Sequence, residues 1–239
     1  MEKDIFVERI KKELEEINIT ISNIQAEKFY LYMNDLIEWN EKINLTAITD
    51  EKEIITKHFV DSLTAMKYIK EGNKIVDCGT GAGFPGIPLA IMMEKCEFVL
   101  FDSLNKRVNF LNNVISKLGL KNVLAIHSRA EDLAKDNKYR EKFDIAISRA
   151  VANMSTLSEY LLPFCKNKGI AICMKGNNVE EEIKTCKNAL KILNGKILNI
   201  DEFNLPFSDY GRNIVIIEKE NTISTKYPRG QGKPAKEPL

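Results

Sequence analysis

Ten residues, GTGAGFPGIP at 79–88, carry four glycines and two prolines directly after the apolar run KIVDC. Gly81, Gly83 and Gly86 satisfy G-x-G-x-x-G between a strand-like and a helix-like segment. In that context a backbone loop comes close to a nucleotide-like ligand and a helix N-terminus faces it. Asp102 ends the next apolar run, EFVLFD, where a carboxylate can accept both hydroxyl hydrogens of a ribose. Two ligands fit, a dinucleotide and S-adenosylmethionine. Asp77, two residues before Gly79, separates them. A carboxylate there suits a cationic amino-acid moiety and repels a pyrophosphate. RAEDL at 129–133 then places backbone and Glu131 or Asp132 near an adenine.

The acceptor is approached by elimination. Enzymes that methylate exocyclic amines commonly carry an Asn/Asp-Pro-Pro-aromatic tetrad after the fourth strand, and here that place reads SRAV, Ser148 to Val151. Pyrimidine C5 chemistry needs a cysteine nucleophile, and the nearest candidate, Cys165, follows Phe164 rather than proline. What remains includes an acceptor with a free lone pair, such as a purine ring nitrogen, which needs no general base and depends on positioning and desolvation. No residue is assigned as acid or base; Arg149, at the end of the fourth β-type run, is the one catalytic candidate. His58, Asp61 and Ser62 lack a G-x-S-x-G elbow and read first as packing and capping residues, with pocket lining as the lesser alternative. His127 and Trp39 read as structural.

These residues need elements to hold them. From residue 1 to 72 the periodicity is helical: Phe6, Ile10, Leu14 and Ile17 share one face, then Phe29, Tyr32, Met33 and Leu36 another, with Asn23 as the expected cap of the second helix. From 73 to 220, IVDC, EFVLFD, VLAIH, FDIAIS, GIAICM, KILNI and NIVIIEK alternate with helical stretches, the signature of a parallel sheet covered on both faces. Only FNLPFSDYGR separates the last two runs, too short for a crossover helix, so an antiparallel hairpin is expected. Residues 221–239, rich in Pro, Gly and Lys, read as a flexible or ligand-ordered basic tail.

The composition narrows the setting. With 239 residues, 44% of them hydrophobic, the chain can bury one substantial core. Thirty-five basic against 34 acidic residues give no global positive field, so a nucleic acid would have to be met by local charge. Arg107, Lys175, Lys226, Arg229 and Lys233, near strand ends or in the tail, are the candidates. Five cysteines without a C-x-x-C pair fit neither a disulfide framework nor a metal site, and MEKDIFVERI lacks a signal-peptide core. A cytoplasmic monomer with no metal and no membrane segment is expected.

VDCGTGAGFPGIPLAI, with WNEKINLTAI, KHFVDSL, FDSLNKRVNFL, FDIAISRAV and KYPRGQGKP, resembles the RsmG family, also called glucose-inhibited division protein B. The resemblance covers nearly the whole chain. It implies a class I, Rossmann-like methyltransferase: α/β, with a mostly parallel seven-stranded sheet, an antiparallel last strand and helices on both faces, preceded by an N-terminal helical region. It implies methyl transfer from S-adenosylmethionine, leaving S-adenosylhomocysteine, to N7 of guanine 527 in the 530 loop of 16S ribosomal RNA in the small subunit. Carried over by motif, the donor contacts fall on Gly79 and Phe84, on Asp102, Ser103 and Leu104, on Ala130 and Glu131, and on Arg149, with Asp77, Gly81 and Gly83 beside them. Two other classes remain open: an NAD-dependent oxidoreductase, and a non-catalytic ribosome-assembly factor on the same scaffold.

Overall fold

The computed structural model describes residues 1–177 and 179–239. Its first helix, α1 (Lys3–Glu15), buries Phe6, Ile10 and Leu14, one residue per turn. In α2 (Asn23–Ile43) the cap is Ser22, not Asn23. The hydroxyl of Ser22 accepts from the Gln25 N–H at 3.2 Å, and the Gln25 side chain accepts from the Ser22 N–H at 2.9 Å. That reciprocal pair satisfies two orphan donors at once, which Asn23 followed by Ala26 could not do. Asn44 ends the helix in the left-handed region, at φ +49°.

Seven strands form one sheet: β1 (Lys74–Cys78), β2 (Glu97–Asp102), β3 (Val123–His127), β4 (Phe143–Arg149), β5 (Cys165–Lys175), β6 (Gly195–Asn204) and β7 (Gly211–Lys219). Their order is β3-β2-β1-β4-β5-β7-β6, and β7 alone runs against its neighbours, as the short connection predicts. The order reverses between β1 and β4, so the crevice for a ligand opens above their C-terminal ends.

The period of two along each strand divides the core into halves. Ile75, Ile145, Ile147, Ile172 and Ile214 pack with Phe6, Phe29, Tyr32 and Phe59 of the N-terminal region. Val76, Ala146, Cys173 and Val215 pack with Leu157, Leu161 and Leu190 on the opposite side. Each fully buried Leu, Ile or Phe is worth about 1.5–3 kcal/mol, so the helical N-terminus is the cover of one sheet face. All five cysteines are buried and free. Burial pushes the Cys165 thiol up to about 12, which leaves it no use as a nucleophile.

Residues 221–239 fold back onto the body, where their composition suggested a flexible or ligand-ordered tail. Tyr227 and Pro234 are buried. Arg140 donates to the carbonyls of Tyr227 and Ile223 at 2.8 and 3.0 Å, and the Thr156 hydroxyl donates to Pro234 O at 2.7 Å. Arg229 grips the wholly buried Glu159 through Nε and Nη2 at 3.0 and 2.8 Å. The cue missed was Glu159, a carboxylate on an otherwise buried helix, Met154–Leu161, that needs a cation from elsewhere.

Candidate active site

Two cavities adjoin at the crevice. The first, of about 400 Å³, is walled by Gly79, Asp102, Ser103, Ala130 and Glu131, with Arg107, Val151, Tyr160 and Gly232. The second, of about 290 Å³, is walled by Ile48, His58, Asp61 and Met174 and by four cations, Lys57, Arg149, Lys175 and Arg212. Ala150 lines both. It stands just past β4 at φ +59°, a conformation a non-glycine residue keeps only where its surroundings impose it.

The glycine loop serves the first cavity unevenly. Gly79, at φ +67°, lies where an added Cβ would stand 2.8 Å from Val151 Cγ2. The Gly81 N–H donates to Asp102 Oδ2 at 3.0 Å, tying the loop to the carboxylate assigned to the ribose. Gly83 faces away: a Cβ there would meet Ile87 Cγ1 and the Tyr32 hydroxyl at 2.7 Å, so its task is to admit α2. Asp102 also accepts from the Leu104 N–H at 2.9 Å and from Arg107 at 3.2 Å. A carboxylate has about four acceptor sites, so one is left for a ligand.

Asp77 does not line either cavity. It is fully buried beneath the loop, where Oδ2 accepts from the Thr80 hydroxyl at 2.6 Å and the Gly86 N–H at 2.9 Å, while Oδ1 has no partner among the described residues. Burial raises its pKa to about 7 against those bonds. The expectation that it holds a cationic amino group is therefore corrected. Asp77 fills the N-terminus of the helix Gly86–Met92, the place a pyrophosphate would need.

Arg149 and Phe84 belong to the second cavity's frame. Strand alternation turns Arg149, with Ile145 and Ile147, toward the N-terminal helices and into the second cavity, not the first. There it donates to Lys57 O at 2.9 Å, Asp61 Oδ2 at 3.1 Å and His58 Nδ1 at 3.0 Å, with its guanidinium 5.1 Å from the Phe84 ring centre. His58 stacks on Phe84 at 4.3 Å and 7°. Because an arginine only donates, His58 Nδ1 accepts and its Nε2–H donates to Thr46 Oγ1 at 2.9 Å, which makes it neutral. Burial first, then the charges of Arg149 and Lys57, lower its pKa to about 3. Arg212 Nε donates to the same Asp61 oxygen at 3.1 Å.

His58, read from the sequence first as a packing residue, thus lines a cavity, held by a π-helix at Ile55–Val60. One extra residue per turn, common near functional sites, lets the Lys57 carbonyl and the His58 ring reach Arg149 together. Sequence reasoning also missed Lys57, Arg212, Ile48 and Met174 as neighbours; the NLTAI segment, which brings Thr46 and Ile48 here, figured only among the motifs of the family resemblance. Three of the five RNA candidates are already paired: Arg107 with Asp102, Lys175 with Glu182 and Ala152 O at 2.8 Å each, Arg229 with Glu159. Lys226 and Lys233 stay exposed, and Leu104 lies on the surface outside the described cavities. His127 Nε2 sits 3.0 Å from Ser103 O, a structural contact as expected. Trp39 packs on Phe110 at 5.6 Å and anchors α2.

Solved structures share this architecture. A SAM dependent methyltransferase from Aquifex aeolicus matches with TM-score 0.53 and 21% identity over 71% of this chain and 94% of its own. The [4+2]-cyclase SpnF matches with TM-score 0.57 and 12% identity over 83% and 96%. The sheet order and the crevice define a class I methyltransferase fold. The rRNA small subunit methyltransferase G model, GidB, matches residues 25–214. "Ribosomal RNA small subunit methyltransferase G" of Clostridium botulinum (strain Eklund 17B / Type B) is 52% identical over 98% of this chain and 99% of its own length. The protein of that name from Acetivibrio thermocellus is 51% identical over 92% and 91%. This chain belongs to the rRNA small subunit methyltransferase G family.

Proposed function

We propose that this chain transfers the methyl group of S-adenosylmethionine to N7 of guanine 527 in the 530 loop of 16S ribosomal RNA, acting on the small subunit as a cytoplasmic monomer. The observation that carries the reading is the pair of cavities divided by Ala150, one fitted to an adenosine-bearing donor and the other basic and without a free base. Gly79, which leaves no room for a side chain, and Asp102, with one acceptor site to spare, suit the donor. Ala130 and Glu131 lie where its adenine would rest. When bound, S-adenosylmethionine supplies an electrophilic methyl on a sulfonium.

Attack by N7 forms an N–C bond with the ring lone pair and releases a neutral thioether; no proton has to leave. The second cavity matches that requirement. His58 is neutral with both nitrogens bonded, and Asp61 is held by two arginines, so neither is poised to take a proton. The cationic donors around them suit guanine O6, beside N7, and would oppose the amino group that adenine presents there. A base must leave its stack to reach such a cavity.

The test is transfer of labelled methyl from S-adenosylmethionine to small subunits lacking the modification, with the product nucleoside mapped. 7-Methylguanosine in the 530 loop is the expected result. Donor binding without label, on subunits that accept methyl from an active relative, would return the chain to the assembly-factor reading.

A further inference from the structure

The loop at 205–210 between β6 and β7 exposes two large aromatic residues. Phe207 is 61% and Tyr210 41% exposed. The loop is nonetheless built: Leu205 and Pro206 are buried, the Leu205 N–H donates to Tyr210 O at 3.0 Å, and the Ser208 hydroxyl donates to Leu205 O at 3.0 Å. Phe207 holds φ +53°, a left-handed conformation that a bulky residue adopts rarely, so the backbone spends strain to keep that ring outside.

Each ring has an ammonium over it. Lys12 Nζ lies 5.3 Å from the Phe207 centre and Lys57 Nζ 4.2 Å from that of Tyr210. Lys57 also lines the second cavity, and Arg212, two residues past Tyr210, lines it too. Acidic groups nearby are Asp209 in the loop and Glu53, which pairs with Lys57 at 2.6 Å. Aromatic faces joined to cations at the mouth of a basic cavity match single-stranded RNA, whose bases stack and whose phosphates need countercharge.

We propose that Phe207 and Tyr210 form a stacking platform for unpaired RNA bases flanking the target, placed so that the adjoining nucleotide enters the second cavity. This rests on the rRNA reading above and extends it from the reacting base to its neighbours. Lys12 and Lys57 add charge to the platform, and the loop's buried root keeps it in place.

The experiment compares F207A/Y210A with the wild-type full chain on small subunits lacking the modification. Equilibrium binding of the subunits, S-adenosylhomocysteine affinity and steady-state transfer are measured separately. The double variant is expected to weaken subunit binding and raise KM about tenfold, with kcat, melting temperature and S-adenosylhomocysteine affinity unchanged. Y210F and F207W are expected to bind as wild type, because a π-face is what they keep. Binding of the double variant within twofold of wild type would overturn the platform, as would full rescue by F207L/Y210L, which keeps apolar bulk without an aromatic face. A wild-type protein that self-associates through this loop, with the double variant monomeric, would likewise overturn it in favour of a second copy. Because binding is read apart from transfer, a wild type that binds subunits and transfers nothing refutes the methyltransferase reading while the platform is still tested.

Discussion

The two cavities meet at Ala150 yet are built on opposite plans. Nearly all of the first comes from the turns that follow β1 to β4, one after another, on the usual ligand-binding edge of an open α/β sheet. The second gathers the loop at Ile48, the π-helix and Asp61 after it, the end of β4, the end of β5 and the start of β7, five segments of the chain. On the function proposed above, a donor common to a large fold class would be served by the common scaffold, and the acceptor by what has been added to it. The dependence of each cavity on its own supports can be separated by substitution.

Arg149→Met should give the largest effect. It removes three hydrogen bonds and leaves Asp61 with Arg212 alone, a loss of about 3 kcal/mol for breaking a buried pair. Methyl transfer should fall more than about a hundredfold. Titration with S-adenosylhomocysteine should show donor affinity changed by less than about threefold, since Arg149 frames the other cavity. An equal loss of donor affinity would place Arg149 at the donor after all, as the family resemblance implies.

Arg229→Ala inverts the pattern. It strips the buried Glu159 of its guanidinium at a cost of about 2 kcal/mol and frees the tail that brings the Gly232 N–H to Glu131 at 3.2 Å. Donor affinity should fall about tenfold, read by the same titration, with a lower melting temperature. Neutralising the exposed Lys226 and Lys233 should leave both unchanged.

The smallest effect is a matter of pH. Asp77, raised to about 7 by burial, contributes stability that is present below its unfolded pKa near 4 and lost as pH rises toward 7. His58, lowered to about 3, contributes stability that is present above its unfolded pKa near 6.5 and lost as pH falls toward 3. Between about pH 4 and 6.5 the two slopes oppose, each at most about 1.4 kcal/mol per pH unit. Relative to wild type, Asp77→Asn should therefore lose stability as pH drops through that window, and His58→Gln should gain it. Urea unfolding at several pH values reads both; parallel curves for the three proteins would show that the two groups titrate normally.

What the sequence made legible follows the same divide. The inner strands β1, β2, β4, β5 and β7 could be read because strands covered on both faces are near-continuous apolar runs, the half-exposed edge strands β3 and β6 only as short apolar runs, and the final hairpin because its connection is too short to cross over. Asp102 was legible for a related reason, since a βαβ unit fixes the offset between a strand and the loop that follows it, whereas Gly79 and Ala130 were named only through the family resemblance. The second cavity had no such offset. KHFVDSL has ordinary helical spacing, and nothing in it shows that the turn widens to a π-helix so that His58 and the Lys57 carbonyl meet an arginine about ninety positions away. Asp77 was found but misplaced, because spacing put it near the loop without telling which side of the loop it occupies.

That side has a consequence for competition inside a cell. Adenosine compounds are abundant there mostly as phosphates and dinucleotides, and each would be drawn to the free N–H groups of a helix placed after a glycine loop. Here the Gly86 N–H is already taken by Asp77, in either protonation state, along with the Thr80 hydroxyl. ATP and NAD should therefore compete poorly for this crevice, because the helix-terminus contact their phosphates would use is filled from within.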